Sequence, residues 1–286
     1  MPRAKLALLS CALLLCVIAG ARSALAQTAA RPAATPAPPP ANIHARVTER
    51  AVDASTPDDA SVDKMLGAYS PRVRALDLVI GKLKGDLKKG GIGAGSLGNF
   101  VTDGIRAQSS LKLGKPVVLA VTNAGGLRKS AIAEGDLRTR DIFELLPFEN
   151  SLVAFDLTGA QLLDLLRVVV AFHDAQSGAR VTYRINADKK AELESARLLV
   201  AGKEKEIDPA AIYTVICIDY LLKVKGDYAV LQQAKAMKPL GLTIRDAIID
   251  YVKAQTAAGL DITAPSEGRY QFDKANSAVT EEVRPQ

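Results

Sequence analysis

The chain has 286 residues and a formal net charge of +6, with 37 lysines and arginines against 31 aspartates and glutamates. This length suffices for one good-sized domain with extensions, and the charge is too small to indicate a nucleic-acid-binding protein, which would carry a concentrated basic surface. Tryptophan is absent and aromatic residues make up only 5% of the chain. Any ring outside the core is therefore a candidate for contact with a ligand.

The first 26 residues predict a cleaved secretory signal. Arg3 and Lys5 give a basic start, residues 6–20 are apolar, and Ala-Leu-Ala at 24–26 is a small-residue cleavage site. The apolar stretch is shorter than the roughly 20 residues of a membrane span, which favours a signal over an anchor. A lipoprotein signal at Cys11 is the weaker alternative, because it would leave the apolar segment on the mature protein. We therefore expect a periplasmic or secreted protein with no membrane segment after cleavage.

Composition also predicts how the rest of the chain is organised. Cys11 and Cys16 leave with the signal, so that Cys217 remains alone and the mature protein has no internal disulfide. A stretch rich in alanine and proline follows the signal, and the last residues are polar. The predicted segments are a signal peptide (1–26), an Ala/Pro-rich linker (27–57), one folded domain (58–273) and a flexible tail (274–286).

Periodicity and capping signals predict the elements of this domain. Leu97, Val101 and Ile105 share one helix face, and Thr158 and Asp141 are predicted to open helices as N-caps. Helices are predicted at 61–68, 96–108, 141–146, 158–173 and 243–259, and strands at 76–87 (exposed), 117–121, 153–157, 181–185, 197–201, 206–207, 213–218 and 269–272. Because hairpins and helices alternate without a repeated βαβ pattern, the predicted class is α+β, with mixed α/β layers and a mixed sheet packed by helices.

Several short patterns of known enzymes occur without their required context. Residues 93–98 spell G-x-G-x-x-G, but no strand precedes them, which excludes both a dinucleotide fingerprint and a nucleophile elbow at Ser96. The chain has two histidines, His44 in the linker and His173 near a predicted helix C-terminus, where a histidine interacts favourably with the helix dipole. Two scattered histidines cannot supply a phosphoesterase dimetal centre. Asp103 is expected to lie on a solvated helix face.

The strongest indication of a ligand site is a polar turn that follows an apolar strand. The strand 117–121 ends in residues 122–128, which carry two adjacent glycines and Arg128. Glycines allow backbone N–H groups to approach a ligand, and arginine offers a planar fork of donors for an anion. Phe148 follows a proline that holds its ring rigidly, which suits it to stacking on a planar group. The pattern predicts a pocket for a flat, phosphorylated molecule, although Arg128 could instead pair with a carboxylate and Phe148 could belong to the core.

These segments resemble the C-terminal, substrate-recognition domain of the 5′-nucleotidase family, which includes periplasmic UDP-sugar hydrolases and ecto-5′-nucleotidases. The resemblance follows the family's order and spans most of the mature chain. It is carried by residues 96–103 (SLGNFVTD), 122–128 (TNAGGLR), 146–150 (LPFEN), 157–162 (LTGAQL), 208–209 (DP) and 213–215 (YTV).

The resemblance implies a nucleotide or nucleoside ligand. Asn123 and Arg128 would hold its polar groups, Phe148 and Tyr220 would clamp its base, and Asp227 would face its ribose. The full implied set is Asn123, Gly125, Gly126, Arg128, Phe148, Asn150, Tyr220 and Asp227. Two differences from the family pattern weaken the expected binding of the ligand. The loop 225–228 has lost a glycine, and residues 92–95 lack the arginine that many relatives carry.

Family members place a metallophosphatase domain, with its metal ligands and catalytic histidine, before this one. Here the predicted signal and linker lead directly into the recognition domain. The resemblance therefore implies no cofactor in this chain, divalent metals only on a partner, and no hydrolysis by the isolated chain. The first hypothesis is a recognition domain that works with a separately encoded metallophosphatase subunit. A stand-alone nucleotide-binding protein and a non-binding structural relic are the alternatives, and a self-sufficient hydrolase is an outside possibility.

Overall fold

The chain divides into two units, Met1–Pro57 and Asp58–Gln286. In a computed structural model of the protein, residues 46–224, 226–264 and 268–278 are described. The predicted signal peptide, the linker up to residue 45 and the tail beyond residue 278 lie outside these ranges. Within the first unit, residues 46–57 form one turn and no helix or strand. None of the described helices is long and apolar enough to cross a membrane.

The second unit contains helices and strands in mixed order. The helices are α1 (Ala60–Gly67), α2 (Ser70–Ala75), α3 (Gly95–Leu113), α4 (Thr139–Leu145), α5 (Gly159–Ala171), α6 (Asp219–Lys223) and α7 (Ile244–Ala257), with 3₁₀ turns η1 (Ala124–Gly126) and η2 (Ala229–Gln233). The strands are β1 (Val79–Leu83), β2 (Leu87–Lys88), β3 (Leu119–Thr122), β4 (Ala131–Ile132), β5 (Gly135–Arg138), β6 (Ser151–Thr158), β7 (Ala175–Ser177), β8 (Ala179–Ile185), β9 (Ala191–Val200), β10 (Lys203–Lys205), β11 (Ile212–Ile218), β12 (Lys235–Thr243) and β13 (Tyr270–Phe272). This mixture confirms the predicted α+β class.

Two sheets organise these strands. A five-stranded sheet has the order β12-β6-β11-β3-β7, in which β3 and β11 are parallel and the other neighbours are antiparallel. A four-stranded sheet has the order β10-β9-β8-β13, with only β8 and β13 parallel. Two short antiparallel pairs, β1 with β5 and β2 with β4, complete the unit. The sheets are therefore of mixed orientation, as the sequence predicts.

Helix α3 packs across the five-stranded sheet and against α7. Leu97, Val101 and Ile105, which were predicted to share a helix face, are completely buried. Gly104 lets the two helices approach closely, because a Cβ at this position would lie 2.6 Å from the Cδ1 atom of Ile248. Helix α5 contacts β6 and β11 of one sheet and β9 of the other, so that it joins the two sheets around a single core.

The start of α5 offers a direct test of its predicted cap. The Thr158 hydroxyl accepts a hydrogen bond from the N–H of Gln161 at 3.2 Å, and the Gln161 side chain accepts one from the N–H of Thr158 at 2.9 Å. Replacing Thr158 with alanine is expected to lower the free energy of unfolding by about 1 kcal/mol, measured by urea denaturation. Thr158→Ser keeps the accepting oxygen and should retain most of the stability. Equal stabilities of the two variants would contradict the capping role.

Three local predictions are wrong. Asp141 is the third residue of α4 and not its N-cap; its carboxylate accepts from the N–H of Arg138, the actual N-cap. The segment 76–87 does contain a strand, β1, but it is not exposed throughout, because Leu83 and Leu87 are buried. Asp103 is not solvated by water alone: its carboxylate lies 2.6 Å from the buried guanidinium of Arg269 and accepts from the Ser177 hydroxyl. The first error misplaces the start of α4 by three residues, whereas the other two arose because distant segments pack against the residues concerned.

Candidate functional site

The sheet topology brings three chain segments to one edge. Strands β3 and β11 are parallel and end side by side, with Val121 opposite Cys217. Strand β6 runs antiparallel to β11, so that its first residues, near Leu152, lie beside Ile218 at the end of β11. The turn after β3, the loop before β6 and helix α6 after β11 therefore meet at this edge. These segments contain most of the residues implied by the resemblance.

Seven of the eight implied residues line a single cavity of about 340 Å³. They are Asn123, Gly125, Gly126, Arg128, Phe148, Asn150 and Tyr220. The eighth, Asp227, lines a neighbouring cavity of about 230 Å³ that shares Asn123, Gly125 and Tyr220 with the first. The structure thus brings the complete set together in two adjoining cavities.

The turn after β3 is held by backbone hydrogen bonds. The N–H of Gly126 donates to the Asn123 carbonyl at 3.1 Å, and the N–H of Arg128 donates to the Leu145 carbonyl at 2.9 Å. A Cβ on Gly126 would lie 2.9 Å from the Asn123 Oδ1 atom, so any larger residue here would displace the Asn123 amide. That Oδ1 atom is buried and has no hydrogen-bond partner among the described residues. Because a buried acceptor without a donor is unfavourable, it is suited to receive a hydrogen bond from a ligand.

Two positive charges lie at the end of this turn. The Nη1 atom of Arg128 donates to the Gly125 carbonyl at 3.3 Å, and the Lys89 ammonium donates to the Leu127 carbonyl at 2.9 Å. Burial lowers the pKa of Lys89, and the charge of Arg128 lowers it further. Neither residue forms an ion pair with any carboxylate of the described chain. The sequence did not point to Lys89, and an anion would be favoured beside these two cations.

Three half-exposed aromatic rings border the cavities. Phe148 is 49% exposed and Tyr220 is 50% exposed, so neither belongs to the core. The Arg128 guanidinium carbon lies 6.0 Å from the centre of the Phe148 ring. Phe172, which sequence reasoning missed, lines the second cavity and is 49% exposed. Half-exposed rings at the wall of a cavity are suited to stacking on planar groups.

A buried carboxyl group lies beneath the second cavity. Asp174 is 5% exposed and accepts from the N–H of Ala124 at 2.7 Å and from the Tyr228 hydroxyl at 2.5 Å. Burial raises the pKa of Asp174, while the hydrogen bonds from Tyr228 and Ala124 act in the opposite direction. Sequence reasoning missed this residue too, since an isolated aspartate after a helix gives no local signal of burial.

Comparison with known proteins identifies the family. The model of the 5′-nucleotidase C-terminal domain matches residues 79–233, which is more than half of the chain. The chain belongs to this family. It is 27% identical over 148 residues to a 5′-nucleotidase of Vibrio cholerae, covering 51% of this chain and 26% of that protein. It is 26% identical over 200 residues to a cell wall protein of Listeria monocytogenes, covering 66% of this chain and 25% of that protein.

Solved structures agree with this assignment. A 5′-nucleotidase precursor from Thermus thermophilus superposes with a TM-score of 0.61 and 25% identity, covering 76% of this chain and 44% of that chain. This 5′-nucleotidase C-terminal domain chain spans about a quarter of the two curated relatives above. The relatives' complete activities therefore concern proteins that contain more than the matched region.

The described residues of this 5′-nucleotidase C-terminal domain contain neither an activated thiol nor a grouped set of metal ligands. Cys217 is free and buried, and burial raises the pKa of its thiol, so that it remains protonated and is not an activated nucleophile. Within residues 46–224, 226–264 and 268–278, no three histidines, cysteines or acidic residues are grouped to hold a metal ion.

Proposed function

We propose that this chain is an exported nucleotide-recognition domain that acts in nucleotide catabolism together with a separately encoded metallophosphatase subunit. The observation that carries the proposal is the single cavity lined by Arg128, two half-exposed rings and the unpaired acceptor of Asn123. Its volume of about 340 Å³ falls within the range of small-molecule sites. The chain's role would be to hold and orient the nucleotide, and the metal chemistry would belong to the partner.

In this arrangement the base stacks between Phe148 and Tyr220 in the first cavity, here called the base cavity. Arg128 and Lys89 attract the phosphate, because both are positive and lack carboxylate partners in the described chain. Asp227 lines the second cavity, where a carboxylate would accept hydrogen bonds from the ribose hydroxyls. The phosphate would avoid this second cavity, since Asp227 and Asp174 both line it.

An exposed apolar surface outside the cavities supports the proposal of a partner subunit. Helices α1 and α2 contain no buried residue. Exposed apolar side chains recur at helical spacing along α1, α2 and the N-cap residue of α2: Val62, Met65, Leu66, Tyr69 and Val73. Several exposed apolar side chains close together in the chain are what a docking face would need. If a partner docks here, Tyr69→Ser would weaken its association and leave nucleotide affinity unchanged.

The experiment that tests the proposed function is calorimetric titration of the chain from Gln27 onward. AMP, adenosine and inorganic phosphate are titrated separately, without added metal. We expect AMP to bind more tightly than adenosine, because only AMP reaches both the rings and the cations. Absence of heat with both AMP and adenosine would contradict nucleotide recognition and favour the structural relic.

The same preparation distinguishes a partner-dependent domain from a stand-alone binding protein. The described residues form both cavities within this chain, which favours binding without a partner. If a metallophosphatase chain of the same organism hydrolyses AMP faster when this domain is added, the partner hypothesis is supported. Tight AMP binding with no such gain would support the stand-alone function.

A further inference from the structure

The short segment between α5 and β7 contributes two residues to the second cavity. Phe172 and Asp174 line it, on either side of His173. The backbone of His173 has a φ of +58°, a left-handed conformation that is unfavourable for most side chains. The turn leaves Phe172 half exposed at 49%, whereas Asp174 is almost completely buried at 5%. Such unfavourable backbone conformations concentrate at functional sites.

Asp174 connects two different walls of the site. Its Oδ1 atom accepts from the N–H of Ala124, the first residue of η1 (Ala124–Gly126, here called the glycine turn), at 2.7 Å. Its Oδ2 atom accepts from the hydroxyl of Tyr228, the residue directly after Asp227, at 2.5 Å. The Tyr228 ring in turn stacks on Phe172, with ring centres 6.3 Å apart. One carboxyl group therefore fixes the turn, the Asp227 loop and a cavity ring relative to one another.

The burial of the Asp174 carboxylate is unfavourable for the stability of the fold. A buried carboxylate loses its hydration, and proteins usually compensate with a cationic partner. No lysine or arginine of the described residues forms an ion pair with Asp174. Its pKa is raised, so the effect of burial exceeds that of the two hydrogen bonds. Asp174 lowers the stability of the fold and lines a cavity. Such a residue is more easily explained by function than by packing.

We propose that Asp174 is a positioning residue for the nucleotide site, which holds the glycine turn and the Asp227 loop at the separation that one ligand needs to touch both. This proposal rests on the proposed function and extends it to a residue outside the set implied by the family resemblance. Asp174 need not touch the ligand. It acts through Ala124 and Tyr228, whose placement sets the distance between the base cavity and the ribose-facing carboxylate.

The test compares AMP binding by four variants of the mature chain, using calorimetry and thermal unfolding side by side. Asp174→Ala removes both accepting oxygens and should weaken AMP binding about tenfold, which corresponds to about 1.4 kcal/mol. Asp174→Asn keeps an oxygen for the Ala124 N–H and should recover part of the affinity. Tyr228→Phe removes the other hydrogen bond and should weaken binding without further loss when combined with Asp174→Ala, because both changes break the same connection.

Tyr270→Phe is the matched control. The Tyr270 hydroxyl donates to the main-chain carbonyl of Asp174 at 2.7 Å, so its removal disturbs the same segment without touching the carboxyl group. We expect a lower unfolding temperature with AMP affinity within about twofold of the wild type. An affinity loss equal to that of Asp174→Ala would assign the effect to general loosening and overturn the proposal.

The remaining outcomes are also decisive. If Asp174→Ala does not fold, Asp174→Asn and Tyr228→Phe take its place, and unchanged affinity in both overturns the proposal. If the wild-type chain binds AMP and every Asp174 variant binds equally well, the positioning role fails while the proposed function stands. If the wild-type chain binds neither AMP nor adenosine, the proposed function fails and the positioning role fails with it.

Discussion

Replacing Arg128 with alanine is expected to weaken AMP binding by about 1.5–3 kcal/mol, which is roughly 10- to 150-fold. The guanidinium group lines the base cavity and forms no ion pair within the described chain, so that its charge is available to a phosphate. Because Arg128 is exposed, its loss should leave the free energy of unfolding unchanged within about 0.5 kcal/mol. Calorimetry with AMP and urea denaturation measure the two quantities.

Two controls make this result specific. Arg128→Lys keeps the charge and loses the planar fork, so its affinity should lie between those of the wild type and Arg128→Ala. Arg167→Ala removes an exposed arginine from α5 that pairs with Asp164, and AMP binding should be unaffected. Adenosine lacks the phosphate, and its affinity should respond less to Arg128→Ala. Undiminished AMP affinity in Arg128→Ala would show that the phosphate site has been misplaced.

A substitution at Lys89 tests whether the second cation also contacts the phosphate. Lys89→Met should weaken AMP binding by less than Arg128→Ala, because its ammonium already donates to the Leu127 carbonyl. Lys88 is the matched control, since it is the preceding residue, is 70% exposed and pairs with Asp86. A loss seen with both lysines alike would reflect long-range attraction and not a local phosphate contact. Raising the salt concentration would then abolish the difference from the wild type.

Local signals were enough to predict several main elements of the fold, although not α6, which carries Tyr220. Strand β6 alternates in sequence, α5 has a reciprocal cap at Thr158, and α3 has a regular apolar face around Val101. Such features depend on residues within one or two turns of each other. The patterns alone paired the turn at Arg128 with the ring at Phe148, and the family resemblance added Asn123, Tyr220 and Asp227 to the same predicted site.

The unpredicted parts depend on contacts between distant segments. Lys89 reaches a carbonyl 38 residues away, and Asp174 reaches an N–H 50 residues away. Asp103 looked like a solvated residue because its partner, Arg269, lies 166 residues further along the chain. Periodicity shows which face of an element is buried and not which other segment covers it. The left-handed backbone of His173 was not predicted either, because histidine has only a modest preference for that conformation.

The two rings at the base cavity are expected to contribute separately to affinity. Phe148→Ala and Tyr220→Ala should each weaken the binding of AMP and adenosine by about 1–3 kcal/mol, the usual worth of stacking a base on one aromatic ring. Both side chains are about half exposed, at 49% and 50%, so their removal should leave unfolding nearly unchanged. Unlike the change at Arg128, these substitutions should affect the nucleoside and the nucleotide equally.

Matched variants separate stacking from other effects of these rings. Tyr220→Phe keeps the ring and should bind normally, and Tyr69→Ala removes a tyrosine that is 60% exposed outside the cavities and should also bind normally. Phe148 lies 6.0 Å from the Arg128 guanidinium carbon, so the combined loss in Phe148→Ala with Arg128→Ala should differ from the sum of the single losses.

The pattern across the two rings decides how the base is held. A clamp requires both alanine variants to lose affinity, because a base between two rings contacts each of them. If only Tyr220→Ala loses affinity, the base lies on the side of Tyr220 that faces the second cavity, where Phe172 would be its other neighbour. Phe172→Ala would then reproduce the loss, and the phosphate would have to reach Arg128 from the opposite direction. If neither ring matters, the half-exposed aromatics do not contact the base, and the cavity is not a nucleotide site of this kind.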